Sequence, residues 1–173
     1  MKNDVGKYMS LLLRHEPEKE NLSMDKYGWV SVKSLVDALK ISFDNLMEIV
    51  KSDDKERFEL NKNSSRIRAC QGHSIDILLG LSPVEPPEYL YHGSSEDKKT
   101  ILTNEGISKM GRNHVHLSED IETATKVGKR HGDPVVFTIK SKEMYEDGIK
   151  FYKSKNGVWL TIEVDPKYVE VNL

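Results

Sequence analysis

Several things are scarce in this sequence, and each shortage removes a class of protein. It holds one cysteine, Cys70, in 173 residues. No internal disulfide can form, and a structural zinc site built on several thiolates is excluded. No window approaches the roughly 18 uninterrupted apolar residues of a membrane-spanning helix, and the start Met1-Lys2-Asn3-Asp4 lacks the apolar stretch of a secretory leader. The expectation is a cytoplasmic protein without membrane association. Net charge is also small, with 26 Lys plus Arg against 28 Asp plus Glu and a formal charge of −2. Coating nucleic acid by bulk electrostatics requires an excess of cations, because such binding scales with the number of phosphates neutralised. Any anion must therefore be held locally. Neither Gly-x-x-x-x-Gly-Lys-Ser/Thr nor Gly-x-Gly-x-x-Gly occurs, so neither a P-loop nor a Rossmann fold is supported.

The length suits one compact globule or two small lobes. The only proline-rich break, Ser82-Pro83-Val84-Glu85-Pro86-Pro87, lies midway and reads as a linker between lobes 1–82 and 83–173. In the first lobe, Val5, Tyr8, Met9 and Leu12 keep helical spacing, with Asn3 or Asp4 as cap and Pro17 limiting extension past His15. Val32, Leu35, Val36 and Leu39 predict a second helix, and Phe43, Leu46, Met47 and Val50 a third behind a Ser42 cap. Arg57–Leu60 and Arg66–Ala69 flank a polar loop and read as a hairpin. Three helices and a terminal hairpin describe a winged-helix lobe. The second lobe reads as strands interleaved with short helices. Strands are predicted at Glu88–His92, His114–Leu117 and Pro134–Ile139, and helices at Ile101–Glu105 and from Ser118 to Lys129-Arg130-His131. A closing hairpin turns on Asn156-Gly157. The fold class is α+β.

What stands out is where the arginines lie. Only six of the 26 basic residues are Arg, and four sit within five residues of a histidine: Arg14 by His15, Arg68 by His73, Arg112 by His114, Arg130 by His131. At a helix C-terminus, Arg14 and His15 could grip a phosphate, the Arg bidentately and the His as donor or proton shuttle. They could equally serve as cations against the helix dipole. Arg66 and Arg68 alternate on one strand, so both guanidiniums share a face, which fits either an anion site or a solvated strand. His73 follows a glycine and reads as a structural residue or a substrate contact. Tyr91-His92-Gly93-Ser94 places a His at a strand end, a Gly that admits close ligand approach, and a hydroxyl for a ribose or phosphate. His114 and His116 share a strand face. With His92 they could ligate zinc, but the flanking Arg112 is a poor neighbour for a cation, and no metal is expected.

These pieces, in this order, resemble the RNA 2′-phosphotransferase family, the NAD-dependent enzymes of tRNA splicing and their bacterial KptA relatives. The resemblance runs through Leu11–Pro17, Tyr27-Gly28-Trp29-Val30, Arg66–Ser74, Tyr89–Ser94, His114–Ser118, Val127–Gly132 and Asn156–Thr161. It implies a winged-helix N-terminal lobe that binds RNA and an ADP-ribosyltransferase-like C-terminal lobe that binds NAD. It further implies a two-step reaction. An internal RNA 2′-phosphate attacks the nicotinamide ribose of NAD, expelling nicotinamide, and the ribose 2″-hydroxyl then attacks phosphorus. The products are RNA with a free 2′-hydroxyl and ADP-ribose 1″,2″-cyclic phosphate. The family's essential set falls on Arg14, His15, Arg68 and Arg130, with Arg112 competing for the fourth place. The NAD-pocket motifs fall on His92, Gly93, Ser94 and His116, with Arg112 and Ser118 beside them. NAD is thus a co-substrate, the partner is RNA with an internal 2′-phosphate, and a monomer is expected. Ser94 stands where the family usually has Thr, and Cys70 where Asn is common. Glu163 is the nearest analogue of the glutamate of related ADP-ribosyltransferases, although alternation could face it to solvent. Two other readings are an ADP-ribosyltransferase that caps RNA or DNA ends and a non-enzymatic winged-helix regulator of nucleic acid.

Overall fold

A computed structural model of the chain describes residues 2–172, without the side chains of residues 2 and 3. The chain divides into two compact units, Met1–Gly80 and Leu81–Leu173, and is α+β throughout.

The N-terminal unit holds helices α1 (Lys2–Arg14), α2 (Val32–Leu39) and α3 (Phe43–Lys51) and strands β1 (Val30–Ser31), β2 (Phe58–Leu60) and β3 (Arg66–Ala69). Hydroxyl caps set two of the helix starts. Ser31 Oγ accepts from Ser34 N–H at 3.3 Å, and Ser42 Oγ from Asn45 N–H at 3.1 Å. Helix α1 already begins at Lys2, so Asp4 lies in its first turn rather than at a cap; the Asn3 side chain lies outside the described residues. The apolar stripe of α1 places Met9, Leu12 and Leu13 in the core, with Val5 and Tyr8 packed at its margin. These meet Leu35, Leu46, Ile67 and Ala69, each worth about 1.5–3 kcal/mol of burial for the larger side chains. The sheet is antiparallel in the order β1-β3-β2, with Val30 and Leu60 both opposite Ile67. The hairpin follows the sequence expectation. Strand β1 does not, because two residues carry no periodicity and pair only once β3 is in place.

The C-terminal unit contains, in order, β4 (Leu90–Ser95), α4 (Lys99–Glu105), β5 (Ile107–Ser108), β6 (Val115–Leu117), α5 (Ile121–Gly128), β7 (Pro134–Ile139), α6 (Ser141–Glu146), β8 (Tyr152–Lys153), β9 (Trp159–Thr161), β10 (Glu163–Val164) and β11 (Val169–Val171). They form antiparallel sheets β11-β7-β4 and β6-β9-β8 and a small β10-β5 pair. Leu90, Phe137, Ile139, Val115, Leu117 and Trp159 join across the two larger sheets in one core. Reciprocal backbone bonds between Tyr91 and Ser118, at 2.9 and 2.8 Å, tie β4 to the end of β6. Those bonds hold Ser118 in an extended bridge, so α5 starts three residues later. Asp120 caps it by accepting from Thr123 N–H at 2.6 Å. The helix stops at Gly128, leaving Arg130 and His131 beyond its end. Helix α5 packs on β4 backbone to backbone. A Cβ on Gly93 would lie 1.7 Å from the Ala124 carbonyl oxygen, and one on Gly128 would lie 2.6 Å from the Ser94 carbonyl oxygen.

Candidate active site

In the N-terminal unit, three sequence-separated segments meet around one buried imidazole. Helix α1 delivers Arg14 at its last residue and His15 just after it. Strand β3 delivers Arg68 on the face opposite Ile67 and Ala69. The segment Gly72-His73-Ser74 lies against the end of α1: Ser74 N–H donates to the Arg14 carbonyl at 3.1 Å, and Ser74 Oγ stands 2.8 Å from His15 Nδ1. The Arg14 side chain runs over Gly72, whose missing Cβ would sit 3.4 Å from the guanidinium carbon. Gly72 also takes φ +90°, which disfavours any L side chain. His73 is 1% exposed, and neither ring nitrogen has a hydrogen-bond partner among the described residues. Burial, then the charges of Arg14, Arg68 and His15, push its pKa down to about 3. Its imidazole is neutral, and the cations around it stay unneutralised by it.

Arg68 is held on several sides. Its Nε donates to Glu59 Oε1 at 2.5 Å, and its Nη1 donates to the Tyr27 carbonyl at 3.0 Å and more weakly to the Leu79 carbonyl at 3.5 Å. The guanidinium stacks 4.6 Å from the Trp29 ring centroid. Such stacking and pairing fix the plane of the fork. Nη2 carries no hydrogen bond among the described residues. The turn that offers the Tyr27 carbonyl is organised by Asp25, whose Oδ1 accepts from Tyr27 and Trp29 N–H at 2.9 and 3.0 Å. Arg66, by contrast, is exposed and paired with Asp25 Oδ2 at 3.0 Å. The two arginines share a face as alternation requires, but only Arg68 belongs to the cluster around His73.

The C-terminal unit carries the remaining predicted residues. His92 Nδ1 lies 3.1 Å from the His116 carbonyl oxygen. A carbonyl only accepts, so Nδ1 holds the proton and Nε2 is an acceptor. Burial lowers the His92 pKa and keeps the ring neutral, and nearby His131, Arg112 and Lys98 push the same way. Arg112 is exposed and donates from Nη1 toward His116 Nδ1 at 3.2 Å, which leaves the His116 proton on Nε2. Ser94 is buried at the end of the β4 face that carries His92. The next residue, Ser95, has a buried hydroxyl without a hydrogen-bond partner among the described residues. At Gly93 the missing Cβ makes room for the α5 backbone. His114 turns its ring edge to Tyr152, centroids 5.9 Å apart. No group of three His, Cys, Asp or Glu among the described residues is placed to hold a metal ion. Glu163 is exposed on β10 opposite Ser108, because the last long strand breaks at Ile162 and its second half pairs with β5. Arg130 is exposed past α5, with its N–H on the Val127 carbonyl at 3.2 Å. The structure thus brings Arg14, His15 and Arg68 together in one unit, while Arg112 and Arg130 belong to the other.

Comparison with known proteins shows the family to which the chain belongs. The profile of the RNA 2′-phosphotransferase, Tpt1 / KptA family matches residues 1–163. The chain is 47% identical over 171 residues to a protein of Flavobacterium johnsoniae, covering 96% of this chain and 94% of that one. It is 46% identical to one of Hahella chejuensis (96% and 92% covered) and 44% identical to one of Fusobacterium nucleatum (98% and 99%). Each bears the name "Probable RNA 2′-phosphotransferase". The chain belongs to the RNA 2′-phosphotransferase family. It is therefore a member of an enzyme family of transferases, and the seven collinear segments read from the sequence mark that membership. The residue-by-residue reading passed over Ser74, whose hydroxyl stands 2.8 Å from His15 Nδ1. Its signal was present in the Gly72-His73-Ser74 run, but a serine in a loop becomes informative only when its partner is known. Among the described residues no helix is long and apolar enough to cross a membrane.

Proposed function

We propose that the chain removes an internal 2′-phosphate from RNA by transferring it to NAD, yielding a 2′-hydroxyl, ADP-ribose 1″,2″-cyclic phosphate and nicotinamide. One observation carries this reading: Arg14, His15 and Arg68 converge on a neutral, buried His73. Two guanidiniums and an imidazole suit a phosphate dianion. The family match supports the transfer of an RNA 2′-phosphate, and the cluster supports a local grip on that anion. In this reading the N-terminal unit is a winged-helix lobe that presents RNA, and the C-terminal unit an ADP-ribosyltransferase-like lobe that holds NAD.

The donor set of the C-terminal unit fits a dinucleotide. His92 offers an acceptor nitrogen for a ribose hydroxyl, and His116 offers an N–H. Arg112 can face a pyrophosphate, while Ser94 supplies a hydroxyl; Ser118 orders the adjoining strand end. When bound, NAD supplies an electrophilic ribose carbon and nicotinamide as leaving group. The RNA phosphate is already an anion, so the first displacement needs orientation more than a base. Arg14 and Arg68 serve that need by fixing the phosphate oxygens. In the second displacement charge builds on phosphorus, and the same forks meet its equatorial oxygens; the resemblance adds a further arginine to the reaction, Arg130 or Arg112 in its place. As the 2″-oxygen bonds phosphorus and the bond to the RNA 2′-oxygen breaks, the 2″-hydroxyl proton passes by way of a phosphate oxygen to the departing 2′-oxygen, with His15 as hydrogen-bond donor to those oxygens during the transfer.

The test is a short RNA bearing one internal 2′-phosphate, incubated with and without NAD. NAD-dependent appearance of the 2′-hydroxyl strand with cyclic phosphate product is expected. Accumulation of stable ADP-ribosylated RNA instead would mark an end-capping transferase, and binding without turnover a regulator.

A further inference from the structure

The segment that closes the cluster does more than fill space. Each of its three residues meets the end of α1 or the cluster beside it: Gly72 lies under the Arg14 side chain, His73 is buried next to Arg14, His15 and Arg68, and Ser74 reaches His15. Ser74 is itself anchored by its backbone, N–H to the Arg14 carbonyl at 3.1 Å, so its hydroxyl is placed by the fold and not by its own rotamer alone. We propose that Ser74 is a positioning residue for His15, its hydroxyl 2.8 Å from Nδ1 keeping the proton on Nε2 aimed at the phosphate in both charge states of the ring.

The choice of a hydroxyl is the physical point. A Ser hydroxyl donates and accepts by rotating about one bond. Toward a neutral ring it donates to Nδ1, which leaves the proton on Nε2. Toward an imidazolium it accepts from Nδ1–H, and Nε2 still carries its proton. A carbonyl cannot do this. His92 faces the His116 carbonyl and is thereby fixed as the opposite tautomer, with Nε2 an acceptor. A carboxylate would hold the imidazolium and resist its losing a proton. A hydroxyl makes neither demand, and its switch between donor and acceptor leaves Nε2–H in place whichever charge the ring carries. The roles assigned to His15 rest on the phosphotransferase reading; the tautomer does not.

The experiment uses the full chain labelled with 15N-histidine, as parent, Ser74→Ala and Ser74→Thr, with His15→Asn to assign the signal. Long-range 1H–15N spectra of the neutral ring report the tautomer, and single-turnover and steady-state assays on the 2′-phosphorylated RNA report rate. Ser74 is exposed and its backbone bond survives both substitutions, so thermal unfolding midpoints are expected to stay put. The parent ring is expected as Nε2–H. Ser74→Ala is expected to give mixed tautomers and a kcat about tenfold lower at unchanged KM for NAD, the size of one orienting hydrogen bond. Ser74→Thr is expected to restore both. A parent ring protonated on Nδ1 overturns the proposal. So does a Ser74→Ala protein with either parental tautomer or parental kcat, or a Thr variant as slow as the Ala variant. If the parent itself leaves the 2′-phosphate in place, the phosphotransferase reading fails, and the tautomer comparison alone decides the role of Ser74.

Discussion

Arg68 illustrates how much geometry one residue of the cluster carries. Its Nε and Nη1 are occupied by Glu59 and two backbone carbonyls, its plane is stacked on Trp29, and Nη2 carries no hydrogen bond among the described residues. A lysine keeps the charge but has neither the fork nor the stacking plane. Arg68→Lys is expected to slow phosphate removal by about 100-fold or more, as for loss of one preorganised donor, read in single-turnover assays. A Lys variant as fast as the parent would remove Arg68 from the site. His73 yields a prediction of a different kind. Its folded pKa of about 3 lies below the 6.5 of an unperturbed histidine. As pH falls from about 6.5 toward 3 the unfolded chain therefore binds a proton that the folded one refuses, and stability falls by up to about 1.4 kcal/mol per pH unit. His92 and His114, also lowered, act in the same direction. His73→Leu is expected to lose less stability than the parent between about pH 7 and about pH 5 in urea denaturation, because its share of that proton uptake is gone. Parallel losses would show that His73 titrates normally.

Among the elements, α5 on β4 is the tightest approach, and two glycines make it possible. Gly93→Ala would drive a methyl to within 1.7 Å of the Ala124 carbonyl oxygen, so helix or strand must shift. A loss of about 1–3 kcal/mol or more is expected, read as a lowered Tm together with weaker NAD binding, since His92 and Ser94 move with the strand. Gly111→Ala is the matched control: nothing lies within 4 Å of its Cβ and its φ is unexceptional. A parental or slightly raised Tm is expected there, from a less flexible unfolded chain. The sequence context of Gly93, between a His and a Ser, suggested a ligand's approach to the backbone. The structure adds a second demand that the context did not show, because a helix from some thirty residues later occupies the space a Cβ would fill. The Ser31 and Ser42 caps and the Asn156-Gly157 turn were readable or nearly so, since each acts over two to four residues. Strands β1, β5, β10 and β11 were not, because segments of two or three residues become strands only through a partner.

Taken whole, the molecule has no net positive charge to draw RNA in. Its formal charge is −2, and Arg66, the arginine nearest the cluster in sequence, is spent on Asp25. Binding of a single-stranded 2′-phosphorylated RNA is therefore expected to depend on salt only as two or three neutralised phosphate charges would allow. The slope of log K against log salt should be about −2, by fluorescence anisotropy. A much steeper slope would reveal a basic track outside the cluster and shift the RNA footprint accordingly. The same titration with RNA lacking the 2′-phosphate is expected to show a large loss of affinity, since the grip is local.

The sequence by itself determined the α+β composition, the main helices and hairpins, the family, and the residue types able to hold a phosphate, because periodicity, caps, turn residues and collinear segments are written over short spans. Only the tertiary structure decided which of those residues meet. His15 and Ser74 stand 59 positions apart and touch at 2.8 Å. Arg66 and Arg68 look alike in the sequence, yet one pairs at the surface and the other joins the site. Those distinctions arise when the core around Leu12, Leu35 and Ile67 closes and fixes where the end of α1, the face of β3 and the Gly72–Ser74 turn lie. Side-chain contact at that range is a product of packing, and no local pattern encodes it.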